Sequence, residues 1–258
     1  MEFSASFPVI VPQWRVPMPD VGALMTTRAG GVSQGGYGDG KGQGGFNLGL
    51  HVGDDPARVV HNRALLRENV PAEPRWLSQV HGCGVLAAEQ VAGGAAPEAD
   101  AVLATERGVV CAIMTADCLP VLLADVDGVV VGAAHAGWRG LAGGVLERTV
   151  ERMRAAGAGT MQAWLGAAIG PTRFEVGEDV RTAFVVQRPH AAACFRALPN
   201  HSGKYLCDIY GLARLILAEQ DITLVSGGDR CTVSEQDVFY SFRRDGATGR
   251  MAALIWRR

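Results

Sequence analysis

The sequence has little charge and no excess of either sign. Charged residues make up 19% of its 258 positions, and 24 basic against 26 acidic residues leave a net charge of −2. A disordered or solvating chain would carry more charge and fewer apolar groups. Basic residues never cluster beyond pairs such as Arg257-Arg258, so no nucleic-acid or membrane-surface partner is indicated. No stretch reaches the roughly 18 uninterrupted apolar residues of a spanning helix. The most apolar region, residues 109–138, is broken by Asp117, Asp125 and Asp127. Met1-Glu2-Phe3-Ser4 lacks the basic start and long apolar run of a signal peptide, so a cytoplasmic location is expected. A GxxxxGK[ST] pattern is also missing, which removes support for a Walker-type nucleotide site. The six cysteines (Cys83, Cys111, Cys118, Cys194, Cys207, Cys231) form no CxxC pair, and in such a chain they read as thiols or metal ligands rather than disulfides.

What is present is material for a core. Hydrophobic residues make up 48% of the chain, and a chain of this length buries roughly 70–75% of its unfolded surface. No linker and no internal repeat divides it, so one domain of mixed α and β type spanning residues 1–258 is expected. Hydrophobic periodicity predicts helices over 56–68, 140–156, 177–186 and 205–219. It predicts strands over 76–81, 85–91, 108–114, 119–124, 129–134, 161–168, 222–225, 238–243 and 252–256. The near-continuous apolar character of the central strands implies cover on both faces. Strand order does not follow from the sequence. Ten of the twenty residues from Gly30 to Gly49 are glycine. Such a stretch suits either a mobile surface loop or close approach of a ligand to the backbone.

Three segments end an apolar run on a metal-capable side chain beside small or turn-forming residues. They are Ser78-Gln79-Val80-His81-Gly82, Ala116-Asp117-Cys118-Leu119-Pro120, and His135-Ala136-Gly137-Trp138-Arg139-Gly140. Strand ends of this kind can deliver His81, Cys118 and His135 to a common rim. Two imidazoles and a thiolate suit zinc or copper, and three protein ligands leave a fourth position for water or substrate. Two other readings stay open on spacing alone: a metal-free Cys-His nucleophile site, and structural residues that never meet. A fourth ligand from Cys83 would make the site a closed, structural one in a scaffold protein.

The order of these motifs resembles the YfiH-type family, also called the laccase-domain or multicopper polyphenol oxidoreductase family. Further matching pieces are Thr26-Thr27-Arg28-Ala29-Gly30-Gly31-Val32-Ser33, Phe46-Asn47-Leu48-Gly49-Leu50-His51, AIGP at 168–171, Cys231-Thr232 and Tyr240-Ser241-Phe242-Arg243-Arg244-Asp245-Gly246. The glycine-rich 35–45 stretch departs from the family, whose link to the Asn-Leu-Gly motif is usually shorter. The resemblance implies a YfiH-like single domain of α+β class, with mixed sheets flanked by helices, and a zinc held by His81, Cys118 and His135. It also implies phosphorolysis of purine nucleosides (adenosine, inosine, methylthioadenosine) with adenosine deamination. Copper-dependent polyphenol oxidation, or an amidase that edits UDP-muramoyl precursors of peptidoglycan, are the alternatives it carries. Within the matching motifs, Asp117 is the candidate to orient or deprotonate the bound water, or simply to cap a turn. Arg28, Arg139 and Arg243 are candidates to grip phosphate. Asn47 and His51 could meet a sugar hydroxyl or phosphate, and Trp138 could stack on a base. Partners are then small molecules, and the chain is a monomer or homodimer.

Overall fold

The computed structural model describes residues 7–91, 95–199 and 201–258. In chain order the elements are β1 (Val9–Ile10), β2 (Val21–Thr26), β3 (Ala29–Ser33), α1 (Pro56–Arg67), β4 (Val85–Ala87), β5 (Ala101–Ala104), β6 (Val110–Thr115), β7 (Leu119–Asp125) and β8 (Val131–Ala136). They continue with α2 (Trp138–Ala142), α3 (Val145–Ala155), β9 (Met161–Leu165), β10 (Glu175–Gly177), α4 (Glu178–Val185), β11 (Phe195–Ala197) and β12 (Lys204–Cys207). The last are α5 (Ile209–Glu219), β13 (Leu224–Gly227), α6 (Phe242–Asp245) and β14 (Met251–Arg257). Among the described residues no helix is long and apolar enough to cross a membrane.

Side-chain alternation along the strands builds the layers. In β7, Leu119, Val121 and Leu123 face one cluster while Leu122 and Ala124 face another. In β14, Met251, Ala253 and Ile255 share that second cluster, while Ala252, Leu254 and Trp256 face a third. Successive side chains of a strand point to opposite faces, so a strand apolar throughout must be covered twice. The result is a four-layer α+β domain. Helices α3, α4 and α5 cover a six-stranded sheet ordered β13–β9–β7–β8–β5–β4. That sheet packs on an antiparallel four-stranded sheet, β1–β2–β14–β6, whose outer face is covered by Leu66 of α1 and by Phe46 and Leu48. A small sheet, β10–β12–β11, lies apart from both in the pairing order.

Several expected elements differ. The segment 76–81 forms no strand, because the Gln79 amide supplies the ladder instead: its Nε2 donates to Met114 O and its Oε1 accepts from Met114 N, both at 2.8 Å. The expected 140–156 helix is split by Gly143-Gly144, where Gly144 adopts φ 94° at the start of α3. Two glycines each cost about 1 kcal/mol inside a helix, so the break is cheap. Tyr205 belongs to β12, since the Asp208 carboxylate caps α5 by accepting from Gly211 N. The segment 238–243 is a turn leading into α6, capped by Ser241. Strand β2, fully buried, carries Gly22 opposite Trp256, and any side chain there would collide with the indole.

The base of the glycine-rich loop is fastened rather than free. The Arg28 guanidinium donates to Gly38 O (2.8 and 3.2 Å) and to Gln236 O (2.6 Å), and it lies over the Tyr240 ring. The Tyr240 hydroxyl, fully buried, donates to Arg28 O and Tyr37 O. Beside it, Asn62 Nδ2 donates to Ser33 Oγ, Gly45 O and Asn47 O, while its Oδ1 accepts from Val32 N. Ser33 Oγ and Asn47 Nδ2 in turn donate to Asp54 Oδ2.

Candidate metal centre

Strand register assembles the rim. Ala101 of β5 pairs with Ala134 of β8, so Asp100 lies beside His135 and its carbonyl accepts from His135 N at 2.7 Å. Leu119 of β7 pairs with Ala136, which brings Cys118 to the same end of the sheet. His81 arrives from the loop before β4. The ligand-capable atoms of His81, Cys118 and His135 all lie within 4.8 Å of one another, and His81 Nε2 is 3.8 Å from Cys118 Sγ. Metal–nitrogen and metal–sulfur bonds of zinc length would set that separation at about 3.6 Å in a tetrahedron, so the donors fit such an ion.

One buried carboxylate organises this arrangement. Asp100 Oδ1 accepts from His135 Nδ1 (2.8 Å) and His81 N (2.9 Å), and Oδ2 accepts from Gly82 N (2.7 Å) and Val80 N (3.3 Å). A carboxylate can only accept here, so Nδ1 of His135 carries the proton and Nε2 is left for a metal. Burial alone would raise the Asp100 pKa; the bonds from His135 and the backbone outweigh it and hold the group below the usual carboxylate range. Burial would also raise the Cys118 pKa, but the charge and hydrogen bond of His135 bring it down to about 6. The reverse holds for His135: burial lowers it, and first Cys118, then Asp100, lift it to about 9. Each partner thus favours the charged form of the other.

Strain marks the same place. Of three described non-glycine residues with positive φ, two are His81 (60°) and Asp117 (93°). Such conformations persist only where surrounding contacts over-determine them. Asp100 holds His81 through its backbone. Asp117 Oδ1 accepts from Thr232 Oγ1 at 2.5 Å and Oδ2 from Arg243 N at 2.7 Å. Gly137 packs so closely that an added Cβ would lie 2.9 Å from Cys118 Sγ and 3.2 Å from His81 Cδ2.

The donors open onto a chamber of about 300 Å³ lined also by His51, Gln79, Met114, Thr115, Phe242 and Arg250. A larger cleft of about 810 Å³ adjoins it at His51, Gln79 and Met114, and carries the Arg63 guanidinium stacked 4.2 Å above Trp76. Of the residues singled out in the sequence, His81, Cys118, His135 and His51 meet in the chamber. The others lie outside its lining. Arg28 and Asn47 are built into the loop base, where Asn47 Oδ1 accepts from Gly49 N and Arg250 N. Arg139 is exposed and lies 4.5 Å over the Trp138 ring, which itself packs against the main core. Arg243 donates its Nη1 to Glu175 O. The Asp117 carboxylate ties the Cys118 turn to Thr232 and to the start of α6. Cys83 packs on the main core and is not part of the donor cluster.

Asp100, Arg250 and Phe242 were not singled out in the sequence. Asp100 precedes the short apolar run of β5, a weak signal. Arg250 directly precedes β14 and enters the chamber only through the β14–β6 pairing. Its pKa is lowered chiefly by burial, and Cys118 and Asp117 oppose that. His51 is lowered by burial, then by Arg250 and Arg63.

Residues 22–258 match the family model described as multi-copper polyphenol oxidoreductase laccase. The chain belongs to this family. It is 49% identical over 252 residues to purine nucleoside phosphorylase YfiH of Escherichia coli K12, covering 96% of this chain and 98% of that protein. A purine nucleoside phosphorylase of Pseudomonas aeruginosa is 47% identical over 247 residues, covering 96% and 97%. Among solved structures, a Neisseria meningitidis protein superposes with TM-score 0.89 at 48% identity, covering 96% of this chain and 98% of that one. YlmD from Geobacillus stearothermophilus gives 0.85 at 32% identity, covering 97% and 100%.

Proposed function

We propose that the protein is a zinc-dependent enzyme of purine nucleosides that cleaves the N-glycosidic bond of adenosine, inosine and methylthioadenosine by phosphorolysis at the His81–Cys118–His135 rim. The observation that carries this reading is the convergence of two imidazoles and a thiolate within 4.8 Å on the wall of a 300 Å³ chamber. Relatives named purine nucleoside phosphorylases, 44–49% identical over 96% of the chain, support the substrate class. In phosphorolysis an oxygen of phosphate bonds to C1′ of the ribose. The C1′–N bond breaks, its electron pair leaves with the base, and the base takes up a proton.

Bound zinc supplies a Lewis acid with a fourth position open to water or substrate. The rest is the work of the chain. Asp100 keeps His135 in one tautomer and fixes the His81 backbone, which holds the donor atoms close to one another. Arg250 is the chamber's cation. Its Nη1 donates to Thr248 O and Gly249 O, and it takes the phosphate-holding role expected of Arg28, Arg139 and Arg243, which lie outside the chamber lining. His51, its pKa lowered, is neutral near pH 7 and can both donate and accept toward ribose hydroxyls. The same chamber would serve adenosine deamination, in which water oxygen replaces the C6 amino group and ammonia leaves.

The cleft adds room beyond a nucleoside, within the size range of small-molecule sites. Copper chemistry fits the donor set too. A four-electron phenol oxidase, however, needs several copper centres, and the described residues form one cluster. The test is a mass-spectrometric panel on zinc-loaded protein: adenosine, inosine and methylthioadenosine with and without phosphate, UDP-muramoyl-serine, and a phenol with copper. Ribose 1-phosphate (or its methylthio analogue) formed only with phosphate is expected. A product from the muramoyl substrate alone would move the assignment to the amidase.

A further inference from the structure

An exposed phenylalanine stands at the chamber without a structural reason to be there. Phe242 is 60% exposed, yet it lines the space above the donor cluster. Leaving such a ring largely in water forgoes hydrophobic stabilisation. Apart from histidine, it is the chamber's one aromatic residue among those described. The Arg250 guanidinium carbon lies 6.0 Å from its centroid, so the ring and the chamber's cation stand on the same side of the opening.

The backbone that carries the ring is fastened. It begins α6, where Ser241 Oγ accepts from Arg244 N. The next residue's backbone N–H, that of Arg243, donates to Asp117 Oδ2. Arg244 ties the same turn to Thr232 O, Val233 O and Phe239 O. Asp117 directly precedes Cys118, so the backbone segments that carry the aromatic ring and the thiol are tied to one carboxylate. A flat apolar ring without polar atoms cannot recognise phosphate or ribose hydroxyls, but it matches the face of a purine.

We propose that Phe242 is the platform of a base-binding subsite, on which the purine stacks while the glycosidic bond faces the donor cluster. This rests on the nucleoside reading above. It also moves the stacking role from Trp138, whose ring lies outside the chamber lining and is covered by Arg139, to a residue beside the metal donors.

The experiment compares wild type with Phe242→Ala, Phe242→Tyr and Phe242→Trp, using two readouts. Steady-state phosphorolysis of inosine should show KM raised about tenfold or more in the alanine variant, the scale of one base–aromatic stack, with kcat changed far less. The tyrosine and tryptophan variants should restore KM. Independently, hypoxanthine binding measured by calorimetry should weaken by the same factor in Phe242→Ala. Quenching of the new indole in Phe242→Trp by hypoxanthine, and not by ribose, should accompany it. Unchanged KM and hypoxanthine affinity in Phe242→Ala, with normal wild-type turnover, would overturn the platform while leaving the reaction intact. If wild type binds hypoxanthine through Phe242 yet releases no ribose 1-phosphate, the phosphorolysis reading falls and the subsite stands. Wild type that neither binds the base nor turns over nucleoside would remove both.

Discussion

Two polar regions of this molecule look alike in the sequence and differ in the fold. One is the loop base built by Arg28, Ser33, Asn47, Asp54, Asn62 and Tyr240. The other is the rim of Asp100, His81, Cys118 and His135. Both are dense in polar side chains, and both lie in motifs that suggest chemistry. In the loop base the polar groups are paired with the chain itself: Asn62 alone makes four hydrogen bonds, three of them to backbone. At the rim only the supporting atoms are satisfied that way. His135 Nδ1 is bound by Asp100, while the atoms opposite converge with Cys118 and His81 on a chamber. A polar motif is architectural when its partners are internal. It points to chemistry when its partners position a donor that stays open.

The comparison can be broken most forcefully at the donors. Cys118→Ala and His81→Ala should each lower nucleoside turnover by about a thousandfold or more, since a metal contributes several kcal/mol to the barrier. Elemental analysis should find the bound ion lost, while Tm stays within about 2 °C of metal-free wild type. The loop base should behave in the opposite way. Asn62→Leu strands several buried partners at about 1–3 kcal/mol each, and Tm measured calorimetrically should fall by about 10 °C. The variant should still bind one metal ion per chain. Asp100→Asn separates position from charge at the rim, and competition with a chromogenic chelator should show metal affinity about 10–100-fold weaker.

A carboxylate remote from both regions sets the smallest effect. Glu89 accepts from Thr105 N, Thr105 Oγ1 and Glu106 N. Its burial, which would raise the pKa, is outweighed by these bonds, so the group is lowered from its ordinary 4.5. A depressed carboxylate contributes stability above its unfolded value and loses it as pH falls through the folded one. Glu89→Gln should therefore cost about 0.5 kcal/mol at pH 7 by urea unfolding, allowing for solvent screening, and progressively less as pH falls below the ordinary carboxylate range.

The rim was the more legible of the two regions. His81 was legible from its motif although its segment forms no strand, whereas Cys118 and His135 lie at strand ends beside small residues, a local pattern. The double cover of β7 and β14 was legible for the same reason, since it needs only their unbroken hydrophobicity. Asp100 was not, because its role comes from the β5–β8 register, and no local pattern records which strands pair. Arg250 and Phe242 reach the chamber from beyond residue 240 through β14 and the Asp117 anchor, contacts across more than a hundred residues. The arginines read as phosphate ligands failed to reach the chamber for a complementary reason. A guanidinium satisfied by distant carbonyls, as Arg28 is by Gly38 and Gln236, looks the same in sequence as one awaiting an anion.

The most direct test joins metal and product in one sample. Zinc-reconstituted wild type and Cys118→Ala would be incubated with inosine and phosphate, then analysed by mass spectrometry for intact-protein metal content and for ribose 1-phosphate. A catalytic metal rim predicts one ion per wild-type chain with equal amounts of hypoxanthine and ribose 1-phosphate, and neither ion nor product from the variant. Undiminished product from a metal-free Cys118→Ala protein would contradict it.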